Sequence, residues 1–162
     1  PTSGPTAADI IRQSSEMELA AGLMDFGDVP RAQRLAGILK DRARAGRMGM
    51  VSEFVDACRT ALGSRVRSMD SATLPAQALR ITTNRELERL RSILDALPEV
   101  LAPGGRIAVL SYHSGEDGMV KRAFREFARN GGFVLPIRKA LQASDSEKAV
   151  NRRARSARGW TV

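Results

Sequence analysis

Between Ser111 and Asp117 the chain reads Ser-Tyr-His-Ser-Gly-Glu-Asp, which gathers its single histidine and two carboxylates into one short stretch. His113, the single imidazole, is a candidate for direct chemistry, although a lone imidazole at a strand end is more often a structural hydrogen-bonding group. Ser114 has the alternative task of capping the helix that follows, with Glu116 and Asp117 favouring its positive end. Arg80 and Asn84 stand four residues apart on one helix face, where they could meet this loop or a nucleic acid; Arg80 could equally pair with Glu116 or Asp117. Lys121, Arg122, Arg152, Arg153, Arg155 and Arg158 are candidate phosphate contacts, and Trp160 or Tyr112 could stack on a base. With aromatic residues at 4% of the chain, stacking is a minor theme.

Charge supports that grouping. Residues 121–162 hold 11 of the 26 Lys/Arg but only Glu126, Asp145 and Glu147 of the 18 Asp/Glu, so the net charge of +8 resides in the last quarter. A segregated basic surface raises the local concentration of polyanions and suits nucleic-acid phosphates; the bland alternative is a solvated basic tail. One cysteine, Cys58, cannot form an intramolecular disulfide, and with one histidine it rules out a Cys/His zinc site, so no metal is expected and a reducing compartment fits. No apolar run reaches membrane-spanning length, which reads as a soluble chain with no membrane partner. The start at Pro1 carries no secretory signal, and the native start is expected elsewhere.

The elements that would position these residues follow from pattern. Thr6-Ala7-Ala8-Asp9 and Ser15-Glu16-Met17-Glu18 are helix starts, with a hydroxyl to cap free amides and an acid three positions on. Pro30 suits the first turn of a helix with Leu35, Ala36, Ile38 and Leu39 on one side and Arg31, Arg34, Lys40, Arg42 and Arg44 mostly on the other. Ser52-Glu53 opens another helix, closed by Gly63. Residues 64–75 read as a polar connector ending in Pro75. A long helical pattern then runs to Leu97, weakest at Thr82-Thr83-Asn84, where a kink or restart is expected. After the Pro103-Gly104-Gly105 turn, Arg106 to Tyr112 reads as a strand apolar on both faces, and Phe133-Val134-Leu135-Pro136-Ile137 as a further strand. The methionines at 17, 24, 48, 50, 69 and 119 read as core or gap fillers.

Five segments, in order, resemble the MraW/RsmH methyltransferases. They are Pro1 to Asp9; Gln77-Ala78-Leu79-Arg80-Ile81 with Asn84, Glu86 and Leu87; Leu101 to Arg106; Ser111-Tyr112-His113-Ser114 with Glu116-Asp117 and Val120-Lys121; and Asn151 with Arg153-Ala154-Arg155-Ser156-Ala157. The resemblance implies an α/β fold: a helical inserted subdomain and connector (1–75), then the C-terminal part of a class I, Rossmann-like methyltransferase sheet with a basic tail (76–162), incomplete on its own. It implies S-adenosylmethionine as methyl donor and the exocyclic N4 of a cytidine in small-subunit rRNA as acceptor. His113, Ser114, Glu116 and Asp117 would then lie beside the target nucleotide.

Cofactor binding in such folds needs a Gly-rich turn after the first strand and an acid near the end of the second. Gly104-Gly105 precedes a strand instead, so the cofactor loop is expected to be absent from this chain. Thr73-Leu74-Pro75-Ala76, Gly115 with Gly118, and Arg152 depart from the family pattern, removing a basic group, an aromatic and an apolar anchor. The chain is therefore expected to be inactive alone: either half of a methyltransferase whose complementary half lies elsewhere, or a non-catalytic RNA-binding factor of the assembling small ribosomal subunit. The expected compartment is the cytoplasm, or alternatively the mitochondrial matrix.

Overall fold

A computed structural model describes residues 4–66 and 69–162; the first three residues of the Pro1 to Asp9 segment lie outside them. The chain divides into two compact units, Pro1–Glu86 and Leu87–Val162.

In the first unit Thr6 and Ser15 begin α1 (Ala7–Gln13) and α2 (Glu16–Gly27) with capping boxes. Each hydroxyl accepts from the amide three residues on, and the carboxylate of Asp9 or Glu18 accepts from the cap's own amide. Pro30 does not enter the next helix. The chain turns through left-handed backbone at Asp28 and Arg31 while Val29 is buried, and α3 (Ala32–Arg44) starts only after that turn. Helix α4 (Val51–Leu62) starts one residue earlier than Ser52, because the Glu53 carboxylate takes the amides of Gly49 and Met50 at 2.8 and 2.9 Å.

Lys40 departs from the expected polar face of α3: it is buried, and its Nζ donates to Ile11 O at 2.9 Å, to Arg12 O at 2.8 Å and to Ser14 O. It thereby serves the carbonyls that the short α1 leaves free at its end. Arg42 likewise turns inward, donating to Glu53 O at 2.9 Å and pairing with Asp56 at 2.7 Å, which fastens α3 to α4.

The polar connector contains a small hairpin, β1 (Arg65–Val66) paired antiparallel with β2 (Met69–Asp70). Pro75 lies in the first turn of α5 (Thr73–Asn84), where its missing N–H leaves no helical bond unmade. Helix α5 packs on α2, and the fit is close at Gly27: a Cβ there would meet Leu74 O at 2.7 Å and Ala78 Cβ at 3.0 Å. Ile11, Leu23, Leu35, Leu39, Cys58 and Leu79 fill the core. The break foreseen at Asn84 is present. Arg85 adopts left-handed backbone, and α6 (Glu86–Val100) begins at once.

In the second unit the core is Leu94 of α6, Val120 and Phe124 of α7 (Ser114–Asn130), and Trp160 and Val162. The strand expected over residues 106–112 shortens to β3 (Ala108–Ser111), and it is not buried on both faces: Val109 and Ser111 turn inward, while Ala108 and Leu110 are exposed, Leu110 by 57%.

The partner of β3 comes from the expected basic tail. After α8 (Asp145–Val150) and a 3-10 helix (Arg152–Ser156), β4 (Arg158–Thr161) pairs antiparallel with β3 in the register Ala108 to Thr161 and Ser111 to Arg158. Residues 133–137 form no strand. The Phe133 ring packs against Phe127 with centroids 5.3 Å apart, Leu135 also joins the core, and Pro136 has no amide to give to a ladder. On the other side of β4, Leu141 and Gly159 exchange backbone bonds of 2.8 and 2.9 Å. Of the methionines, Met48 is buried and Met119 half-buried, whereas Met17, Met24, Met50 and Met69 are exposed and fill no gap.

Candidate functional site

The loop from Ser111 to Asp117 is held at both ends. Ser111 is buried, its backbone pairs with Arg158, and its hydroxyl donates to Arg158 O at 3.3 Å. Beyond it the cap of α7 is His113, not Ser114. The imidazole Nδ1 accepts from the Glu116 amide at 3.4 Å, and Ser114 becomes the exposed first residue of the helix. A capping Nδ1 carries no proton, so in the neutral ring the proton resides on Nε2.

That Nε2 is buried and has no hydrogen-bond partner among the described residues, 3.4 Å from Glu116 Oε1. The other Glu116 oxygen accepts the Tyr112 amide at 2.9 Å. Glu116 thus closes the strand-to-helix turn from both sides, in the first turn of α7. Asp117 Oδ1 accepts from Trp160 Nε1 at 2.8 Å. The indole is 2% exposed, so Trp160 cannot offer a face to a base in this arrangement; its place is the core. Tyr112, 52% exposed at the end of β3, keeps a free ring.

The remaining candidates occupy several places. Arg80 and Asn84 belong to the first unit and both bind Glu86: Arg80 Nε reaches Oε1 at 3.1 Å and Nη2 reaches Oε2 at 3.1 Å, while Asn84 Nδ2 donates to Oε1 at 3.1 Å. The acid that Arg80 holds is therefore Glu86, which anchors the junction of α5 and α6. Lys121 is half-buried and Arg122 exposed on α7. Arg152, Arg153 and Arg155 are exposed around the buried Ala154, whereas Arg158 is half-buried and folds back on Ala157 O at 3.3 Å. Sequence reasoning missed the Trp160 to Asp117 bond. The available signal was chemical: a buried indole N–H needs an acceptor, and an acid in the first turn of α7 can supply one.

The pattern of the MraW methylase family matches residues 1–161. The chain belongs to that family. It is 39% identical to the ribosomal RNA small subunit methyltransferase H of Chlorobium luteolum over 94% of this chain and 52% of that protein. The same-named proteins of Sorangium cellulosum and Dictyoglomus turgidum are 40% and 36% identical, covering 96% and 94% of this chain and 49% and 50% of theirs. This MraW-family chain thus spans about half the length of the curated relatives it matches.

MraW methylases use S-adenosylmethionine, and the Gly104-Gly105 turn does not fit that group. Gly105 is small because its own turn demands it: a Cβ there would meet Leu101 Cδ1 at 2.6 Å and Ala102 O at 2.8 Å, so the space is filled from within the chain. The turn also precedes β3, whereas a dinucleotide-type cradle follows a strand. No helix among the described residues is long and apolar enough to cross a membrane.

Proposed function

We propose that this chain is the C-terminal part of an S-adenosylmethionine-dependent small-subunit rRNA cytosine-N4 methyltransferase, and that the cofactor is held by residues outside these 162. The observation that carries the reading is β3. It pairs with β4 on one edge, no strand among the described residues pairs with the other, and Leu110 and Tyr112 are more than half exposed there. An apolar strand with a free edge is an aggregation hazard unless another strand covers it. The missing length of the relatives supplies a natural cover: a complementary half whose sheet continues through β3. On this reading residues 1–75 are the helical inserted subdomain and residues 76–162 the C-terminal portion of the methyltransferase domain.

The amine at N4 of cytosine is a weak nucleophile because its lone pair is conjugated with the ring. Positioning the base in line with a methyl donor and accepting its proton are the available means, and the base must first leave any stack. In this chain the loop of His113, Ser114, Glu116 and Asp117 supplies the polar groups, exposed Tyr112 supplies a stacking face, and Arg80, Asn84, Lys121, Arg122, Arg152, Arg153, Arg155 and Arg158 supply RNA contacts. The bacterial origin of the named relatives supports a bacterial cytoplasmic setting.

The test mixes the 162-residue chain with the upstream half of the Sorangium cellulosum relative and follows transfer of labelled methyl from S-adenosylmethionine to small ribosomal subunits. Transfer by the mixture and by neither part alone is the expected result.

A second reading has its own support. His113 caps α7, Glu116 accepts the Tyr112 amide and Asp117 is committed to Trp160, so three of the four loop groups are engaged in structural bonds. A non-catalytic RNA-binding factor of small-subunit assembly would use them so. It predicts that the chain cosediments with small-subunit particles while the mixture transfers no methyl group.

A further inference from the structure

Helix α7 presents a face that neither its core packing nor the loop chemistry uses. Val120 and Phe124 point into the core, and Arg122, Arg125 and Arg129, at spacings of three and four residues, are exposed. Residues so spaced share one helical face, and a rise of about 1.5 Å per residue spreads the three guanidinium stems over roughly 10 Å of axis. None of the three has an ion pair or side-chain hydrogen bond among the described residues; Glu126, the one acid of that stretch, is exposed and pairs with none of them. The helix macrodipole accounts only for Arg129, in the last turn. Arg122 does the opposite: its Nη1 lies 3.4 Å from where a Cβ of Gly118 would stand, one turn nearer the positive end, where a lone cation gains nothing from the dipole.

We propose that this face of α7 is a phosphate-contacting ridge, along which the sugar-phosphate backbone of single-stranded RNA runs with one arginine per phosphate. The inference rests on the rRNA reading above and extends it to Arg125 and Arg129 of α7. Planar guanidinium groups bind phosphate in a two-pronged manner, and an unpaired row of them loses no internal bond when it does so. Because the contacts are to backbone, they favour no base sequence.

The test measures binding of the full 162-residue chain to a labelled single-stranded polycytidylate as a function of salt. The variant carries Arg122→Gln, Arg125→Gln and Arg129→Gln; a control carries Arg31→Gln, Arg34→Gln and Arg47→Gln, exposed arginines of the first unit with the same loss of charge. Helical circular dichroism checks that both remain folded. Three lost phosphate contacts should lower the slope of log affinity against log salt by about 2, and the control should leave it unchanged. An equal drop in both variants, no drop in the α7 variant, or no binding by the unaltered chain overturns the ridge. The methyl-transfer mixture separates this from the larger reading: an α7 variant that retains its salt slope in a mixture that still methylates sinks the ridge alone.

Discussion

Trp160 Nε1 and Asp117 Oδ1 lie 2.8 Å apart and join β4 to the first turn of α7, so the C-terminal strand and the candidate loop form one structural unit. Replacing Trp160 with Phe preserves an aromatic body but leaves the Asp117 carboxylate without its donor. Losing a bond to a charged acceptor, with some lost packing, should cost about 2 kcal/mol. Chemical denaturation followed by circular dichroism measures it; a variant within a few tenths of a kcal/mol of the parent would show the bond to be dispensable.

Lys40 is expected to matter as much in the first unit. Lys40→Met keeps the apolar stem and removes the ammonium that serves Ile11 O, Arg12 O and Ser14 O. Those carbonyls lie at a helix end with little alternative, so a loss of about 2–3 kcal/mol is expected, with amide exchange in α1 accelerated first. Uniform exchange across the unit would contradict the local role.

The contrast between Lys40 and Thr6 marks what the sequence made legible. Both capping boxes, the stop at Gly63 and the break at Asn84 are local, three- or four-residue relationships, and their residue types specify them almost alone. Lys40 belongs to an arginine-rich polar face by spacing, and only the arrival of the α1 end, 29 residues away along the chain, makes it a buried donor. Strand β4 failed for the same reason. Arg158-Gly159-Trp160-Thr161 reads as the end of a basic tail until the pairing with β3, 47 residues away between Ser111 and Arg158, is known. Residues 133–137 failed in reverse, since their apolar side chains pack into the core from irregular backbone. Of the candidate site, the loop was visible in composition, but the division of labour within it was not: a histidine, not the serine, caps α7.

Cys58 should be chemically silent. Burial, and after it the charge of Asp70, push its thiol from the usual 9.0 up to about 12. Thiolate is the reactive form, so a disulfide reagent at pH 8 should modify the protein only as it unfolds. The folded state favours the neutral thiol, so its contribution is complete below pH 9 and is lost as pH rises toward 12. Fast native-state labelling at pH 8 would refute the burial.

The acidic side behaves oppositely. Hydrogen bonds from the Thr6 side chain and then its backbone amide, followed by Arg12, hold Asp9 down from the usual 3.8 to about 2; the Ser15 backbone amide, and then its hydroxyl, lower Glu18. Lowered carboxylates stabilise above their unfolded values and lose that contribution as pH falls, for Asp9 between about 4 and 2. Thr6→Ala should return the Asp9 carboxyl toward 3.8 in an NMR titration. An unchanged midpoint would mean that Arg12, and not the cap, sets it.

The free edge of β3 carries the account, and its amides report on it directly. Ile107 and Val162 exchange backbone bonds of 2.9 and 3.1 Å, and antiparallel alternation then aims the amides of Ala108 and Leu110 away from β4. Hydrogen exchange at those two amides, in the chain alone and with the upstream half of a relative added, is the most direct measurement. The account predicts fast exchange alone and strong protection in the mixture, with Val109 protected in both; Ala108 and Leu110 amides that exchange equally fast with the added half present would contradict it.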